Sequence, residues 1–211
     1  MDWSLLWQYR WALADGALTT AELSALGIVG GTLLGLLVAG IEQLPLLAAR
    51  RMARSYIEII RNVPSIVKIF VLFYVIDLNA FAAGALGLSI HQSAYIADVF
   101  ASGLRAIPRE QTESGRVLGH SYPQIFSYIL VPQLLRTVAP PLTSQYIEVI
   151  KNSPIVMFLG LPELTFYTQQ IEFETGRGYL AAAAVTILYL ALALSVSSSM
   201  AVAERYLRRF A

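Results

Sequence analysis

The sequence predicts an all-α polytopic membrane protein with five transmembrane helices, the N-terminus outside and the C-terminus in the cytoplasm. Three observations carry this reading. Hydrophobic residues make up 56% of the 211-residue chain and charged residues only 14%, against roughly 25% charged in soluble domains. Apolar runs recur near the ~20 residues that a helix needs to cross a bilayer. The arginines also take sides. Arg50, Arg51, Arg54, Arg105, Arg109, Arg116, Arg205, Arg208 and Arg209 fall on the side this topology makes cytoplasmic, whereas Arg10 and Arg177 fall on the other. Placing the N-terminus inside inverts every loop against the positive-inside bias.

Composition also excludes some chemistry. There is no cysteine, so there is no disulfide framework, thiolate metal site or cysteine nucleophile. His91 and His120 lie far apart and lack an i, i+4 partner for a helical metal site; each reads as a helix-end residue. A net charge of +1 gives no reason to expect nucleic acid as a partner. No Gly-rich phosphate loop ending in Lys-Ser or Lys-Thr is present, so the chain itself is not expected to hydrolyse ATP.

In chain order, residues 1–18 form an interfacial N-terminal segment. Trp3, Trp7, Tyr9 and Trp11 beside Asp2 and Arg10 suit the headgroup region, and no basic start followed by an apolar run marks a signal peptide. A soluble amphipathic helix that binds a partner is the other reading. Thr19 with Glu22 makes a capping box for a first span over about 22–47, in which Gly31 and Gly35 have the spacing that lets helices approach closely. A second span covers about 57–78 and carries Arg61, Pro64 and Lys68. Charges at membrane depth are costly; Arg61 can snorkel to the cytoplasmic surface, while the deeper Lys68 is a candidate for a polar pathway. Asp77 to Ser89 reads as a Gly- and Ala-rich outer loop. The third span, about 90–107, holds Asp98.

A polar segment, 108–124, follows. Pro108 suits the first turn of a helix, Glu110 and Glu113 complement its dipole, and Gly119 stops it. Small residues at Ser114 and Gly115 leave backbone open to another protein surface. Ser121 with Gln124 makes a capping box for the next helix. The fourth span, about 136–161, contains Pro140 and Pro141, which argue for a kinked or interrupted helix exposing backbone groups. Glu148 and Lys151, three apart, share a face and can pair. An outer loop from Phe166 to Gly178 with a short amphipathic helix leads to the last span, about 179–203, which ends in arginines.

These residues, in order and spacing, resemble the permease subunits of binding-protein-dependent ABC importers, most closely the polar amino-acid branch. Ser93-Ala94-Tyr95-Ile96-Ala97-Asp98, Gly103 to Ile107, Gln111, Glu113-Ser114-Gly115, Leu118-Gly119 and Val131-Pro132-Gln133 carry the likeness. Ser114 and Gly115 stand where the family has two alanines, Glu110 where it often has Gly, and Val131 where it has Leu. The stretch from Arg61 to Lys68 is similar to the family's Arg-Gly-Thr-Pro-Leu-Leu-Val-Gln, with Lys68 for Gln. Asn152-Ser153-Pro154 and Glu163-Leu164-Thr165 are again similar, with Pro154 for Ser.

The resemblance implies the type I ABC importer permease fold over residues 19–211. It also implies that 108–124 docks in a groove of a cytoplasmic ATPase, with Gln111, Glu113, Ser114, Gly115 and Gly119 as coupling residues. The implied assembly has a second permease subunit, identical or paralogous, two ATPase subunits and a periplasmic or surface-anchored binding protein, in a bacterial inner membrane. ATP and Mg belong to the ATPase, and this chain needs no cofactor. Candidate pathway residues are Arg61, Lys68, Asp98, Glu148, Lys151, Asn152, Ser153 and Glu163. The expected substrate is a polar amino acid. Lys68 in place of an amide points to glutamate or aspartate, because a second substrate carboxylate could be its partner anion; pairing with Asp98 or Glu148, or snorkelling, is the alternative for Lys68. A stand-alone ion-coupled transporter would want inverted repeats, which are not seen, and a membrane enzyme would want convergent acid, base or nucleophile groups.

Overall fold

A computed structural model describes residues 3–208. Arg209 of the arginine count lies outside the described residues. Among the described residues the chain is helical with no strand. Its elements are α1 (Trp3–Gln8), α2 (Arg10–Gln43), α3 (Leu47–Asn62), α4 (Ser65–Phe70), α5 (Ala80–Ala106), α6 (Arg109–Val117), α7 (Tyr122–Gln124), α8 (Val131–Asn152), α9 (Leu164–Thr175) and α10 (Gly178–Arg208). A π-helical turn, Val71–Val75, extends α4, another, Ile125–Leu130, joins α7 to α8, and a 3₁₀ segment, Ser153–Leu159, follows α8.

Helix α5 is the centre: α2, α3, α4 and α8 all pack on it, and α10 lies against α8 and α9. Glycines on α2 make the α2–α5 approach possible. A Cβ on Gly35 would stand 2.8 Å from Ile96 Cγ2 and 2.9 Å from the Ser93 carbonyl, and one on Gly31 would meet Gln92 Cβ at 3.0 Å. In lipid, where apolar side chains gain little by leaving their surroundings, such backbone proximity supplies the packing. Three apolar clusters fill the bundle: around Ile57, Ile96, Phe100 and Val138; around Leu23, Ile69, Leu88 and Val156; and around Leu13, Leu164, Ile171 and Leu180. Leu33, Leu37, Ile187, Leu190 and Val202 stay exposed on α2 and α10, a face suited to lipid.

Several boundaries differ from the sequence expectation. The first long helix runs from Arg10, so Thr19 and Glu22 lie inside it rather than at its cap; the apolar pattern continues upstream and overrides the local capping signal. Residues 80–89 are not a loop. Asn79 accepts a hydrogen bond from the Ala82 amide at 2.9 Å and starts α5 there, because the alanines between its glycines are strong helix formers. The second expected span is not one helix. It breaks at Val63 and Pro64, whose backbones are extended, and its apolar part, Ser65–Val75, rises only about 16 Å. Helices long and apolar enough to cross a membrane are Arg10–Gln43, Tyr122–Leu159 (helical throughout, α7 to the 3₁₀ segment) and Gly178–Arg208. Helix α8 passes through Pro140 and Pro141 without interruption. The non-α geometry lies instead at its two ends.

The N-terminal segment is tied to the bundle through α9. Tyr9 donates a hydrogen bond to Glu174 on α9; that bond raises the phenol's pKa and lowers the carboxyl's. Arg10 lies over the Trp7 ring at 4.6 Å and the Trp11 ring at 5.5 Å.

Candidate functional site

Along α5, His91, Gln92, Tyr95, Asp98, Val99 and Ser102 recur at three- and four-residue intervals and so share one helix face. On the antiparallel α8, Glu148, Gln145, Ser144, Pro141 and Thr137 do the same. Two cavities open in the seam between these faces. The first, of about 300 Å³, is lined by His91, Gln92, Tyr95, Ser144, Gln145 and Glu148. The second, of about 350 Å³, is lined by Asp98, Ser102, Gly103, Thr137 and Pro141, among others. Pro141 has no N–H to give the Thr137 carbonyl, so that acceptor lacks its usual helical donor beside this second cavity. Polar groups in a membrane-embedded bundle are costly unless they serve one another or a passing solute. Here some are satisfied and some are not. Gln92 donates to Gln145 at 2.7 Å, whereas the buried Nδ1 of His91 has no hydrogen-bond partner.

The charged candidates divide into groups. Arg61 at the end of α3 donates to Asp98 Oδ2 at 2.9 Å, its guanidinium lies 5.2 Å from the centre of the Tyr95 ring, and Arg105 stands 3.8 Å from Asp98 Oδ1. Glu148 pairs with Lys151 at 3.8 Å, as their spacing suggests. Asn152 donates back to the Glu148 carbonyl at 2.9 Å and accepts from Ser65 at 3.4 Å, linking α8 to the start of α4. Lys68 pairs with neither Asp98 nor Glu148. Its Nζ reaches back to the carbonyls of Ile60 at 2.7 Å and Val63 at 2.6 Å, where α3 ends and leaves acceptors without partners. The ammonium therefore caps a broken helix.

Ser153 and Glu163 sit apart from the seam, both fully buried. Ser153 donates to the Ile150 carbonyl at 2.9 Å. The Glu163 carboxylate caps α9 by accepting from the Phe166 amide at 2.8 Å, and it also accepts from Tyr189 and Thr20. These bonds tie α2, α9 and α10 together.

The polar segment forms α6 and ends as its sequence suggests. Gly119 is left-handed at φ 82°; its amide bonds the Arg116 carbonyl at 2.9 Å and the His120 amide bonds the Gly115 carbonyl at 3.1 Å, the paired bonds of a Schellman stop. Ser121 and Gln124 form the expected capping box. Gln111, Glu113, Ser114 and Gly119 are exposed. Gly115, expected to be open, is buried: a Cβ there would stand 2.9 Å from Ile125 Cγ1 and 3.1 Å from Ile129 Cδ1. It holds α6 against the following π turn. Val117 and Leu118 are 88% and 75% exposed at the corner, an apolar pair that nothing among the described residues covers.

The sequence reading took His91 for a helix-end residue, whereas it lies inside α5, and it missed Gln92, Tyr95, Ser144 and Gln145 as lining groups, although their helical spacing was available. It also missed Glu42, an almost buried carboxylate 3.2 Å from Arg54 and 4.0 Å from Arg105. Nothing near Glu42 in sequence marks it.

Comparisons with known proteins agree with this architecture. Residues 27–209 match the model of the family described as binding-protein-dependent transport system inner membrane component. The glutamine transport system permease protein GlnP of Escherichia coli (strain K12) is 30% identical over 177 residues, 81% of this chain and 81% of that protein. The crystal structure of an amino acid ABC transporter with histidines superposes with a TM-score of 0.89 at 27% identity, covering 98% of this chain and 99% of that one. An inward-facing MetNI methionine ABC transporter shares the fold, with a TM-score of 0.76 at 20% identity over 95% of this chain and 98% of that one. With the match spanning nearly its whole length, this chain belongs to the binding-protein-dependent transport system inner membrane component family.

Proposed function

We propose that this chain is a permease subunit of an ATP-driven importer of polar amino acids, working with a second permease subunit, two cytoplasmic ATPase subunits that bind ATP and Mg, and an external binding protein. The observation that carries the reading is the polar seam of α5 and α8, with its two cavities, in a chain of this family. A single bundle leaves that seam open on one side, so a second permease would complete the pathway. The exposed Val117 and Leu118 beside Glu113 and Gly119 offer the ATPase a docking corner.

The substrate reading shifts from the sequence expectation. Lys68 spends two of its three N–H donors on backbone carbonyls, so it gives little support to a glutamate or aspartate preference. The first cavity offers neutral groups, His91, Gln92, Tyr95, Ser144 and Gln145, with Glu148. Such a wall suits an uncharged polar side chain, and a carboxylate beside it suits the α-ammonium. The arginine bias supports an outer N-terminus and a cytoplasmic C-terminus in a bacterial inner membrane.

The test is uptake of labelled glutamine, glutamate, histidine and arginine by proteoliposomes holding the chain with its ATPase and binding protein. Uptake is expected to need ATP and both partners, with glutamine or histidine competing best. Uptake driven by an ion gradient without the ATPase would replace this reading with a stand-alone secondary transporter.

A further inference from the structure

We propose that Arg61 is the residue that reads the α-carboxylate of the transported amino acid, and that Asp98 is the internal carboxylate it gives up to do so. The proposal rests on the amino-acid permease reading and adds to it a named specificity residue and a partner exchange.

Position comes first. The guanidinium of Arg61 touches one lining residue of each cavity: Tyr95 of the first, at 5.2 Å from the ring centre, and Asp98 of the second, at 2.9 Å. Arg61 itself lines neither cavity, but a solute moving along the α5–α8 seam from one to the other would pass both of its contacts. Among the described residues only Nη1 is engaged in a hydrogen bond, so most of the planar donor fork remains available, and that fork matches a carboxylate in two parallel bonds. The other cations of the region have partners elsewhere. Lys68 caps α3 and Lys151 pairs with Glu148.

Exchange must also be cheap. The side chains of Arg61 and Asp98 are 44% and 45% exposed in the single chain, so a solute in the seam can reach both. Losing Arg61 does not strand Asp98, because Arg105 already stands 3.8 Å from its other oxygen. Arg105 is in turn 4.0 Å from Glu42, which bonds Arg54 at 3.2 Å. The linked group therefore holds Arg54, Arg61 and Arg105 against Glu42 and Asp98, three positive charges to two negative. Within that contact group one anion is lacking, since Glu58, one turn from Arg61 on α3, forms none of these pairs. A substrate carboxylate on Arg61 supplies it, and Asp98 then closes on Arg105, in the last turn before α6. Capture at the cavity is thereby felt next to the segment that would meet the ATPase.

The experiment uses the assembled permease and ATPase complex in nanodiscs without binding protein, so that only the membrane site selects. Equilibrium binding of labelled L-glutamine, L-glutamate, L-histidine and L-arginine is measured, each competed by its own decarboxylated amine. For the amino acid that binds best, Arg61→Gln is expected to weaken binding about tenfold or more, the loss that follows removal of a charge-assisted bidentate partner, and to abolish discrimination against the amine. Arg61→Lys should fall between. Asp98→Asn removes the competitor and should tighten binding by about threefold or more, roughly what an exposed ion pair is worth. Each variant is checked for assembly by size-exclusion chromatography, and Arg61→Lys serves if Arg61→Gln does not assemble. The proposal is overturned if assembled Arg61→Gln, or Arg61→Lys in its place, discriminates against the amine as wild type does. It is equally overturned if Asp98→Asn weakens binding as Arg61→Gln does, since the pair is then a structural brace. Absence of binding of all four amino acids to the wild-type complex overturns this inference alone, whereas absence of amino-acid uptake by the same complex with its binding protein and ATP overturns the amino-acid reading beneath it.

Discussion

Tyr189, in the middle of the last long helix, donates a hydrogen bond to Oε2 of Glu163, the residue that caps α9. Glu163 is fully buried, so its acceptors are served by Tyr189, the Phe166 amide and Thr20 or not at all. Glu163→Ala leaves those donors without a partner, at a cost of about 1–3 kcal/mol. A lowered thermal midpoint of the purified chain in detergent is expected, with Tyr189→Phe lowering it less. An unchanged midpoint in Glu163→Ala would mean that the knot does not hold the bundle.

The α2–α5 approach gives a second prediction. Gly35→Leu drives a side chain into Ile96 and the Ser93 carbonyl, already 2.8 and 2.9 Å from a Cβ, whereas a Cβ on Gly40 would meet nothing within 4 Å outside its own turn. Overpacking of this kind costs about 1–3 kcal/mol. Unfolding by titrated denaturing detergent should occur earlier in Gly35→Leu than in Gly40→Leu. Equal midpoints would remove the glycine from the packing argument.

Lys68→Gln separates a helix cap from a substrate group. The carbonyls of Ile60 and Val63, at the end of α3, lose their charged donor, so the variant should be less stable by about 1–3 kcal/mol. The ranking of glutamate, aspartate, glutamine and arginine in uptake competition should stay as in wild type. A selective loss of acidic substrates would return Lys68 to the pathway.

At the α6 corner, Glu113→Arg reverses an exposed charge, and Gly119→Val forces a β-branched residue to φ 82°, at roughly 1–2 kcal/mol or more. Both are expected to depress ATPase stimulation by the binding protein, and uptake with it, in reconstituted vesicles. Full stimulation in both variants would falsify the docking role.

Orientation is checked by labelling. A cysteine at Gly176, at the α9–α10 corner, should react with an impermeant thiol reagent added outside, and one at Arg208 should not. The reverse pattern would invert the topology.

The sequence by itself determined the class of the molecule and the chemistry of its turns. Composition and run length require a helical membrane protein, because backbone polar groups in lipid must be satisfied within each segment. The stop at Gly119 and the box of Ser121 with Gln124 were legible because such bonds join residues three to five apart, as was the pairing of Glu148 with Lys151. What only the tertiary structure decided involves partners far apart in the chain. Lys68 looked like a pathway charge until the break at Pro64 supplied it with the carbonyls of Ile60 and Val63. Glu163 looked available until Tyr189 and Thr20 closed on it. Gly115 looked open until Ile125 and Ile129 covered it, and Glu42 gave no signal before Arg54 and Arg105 converged on it. Apolar periodicity says that a helix has an inner face but not which helix it meets. The meeting of Arg61 with Asp98, and of the α5 face with the α8 face, therefore had to be read from the packed bundle.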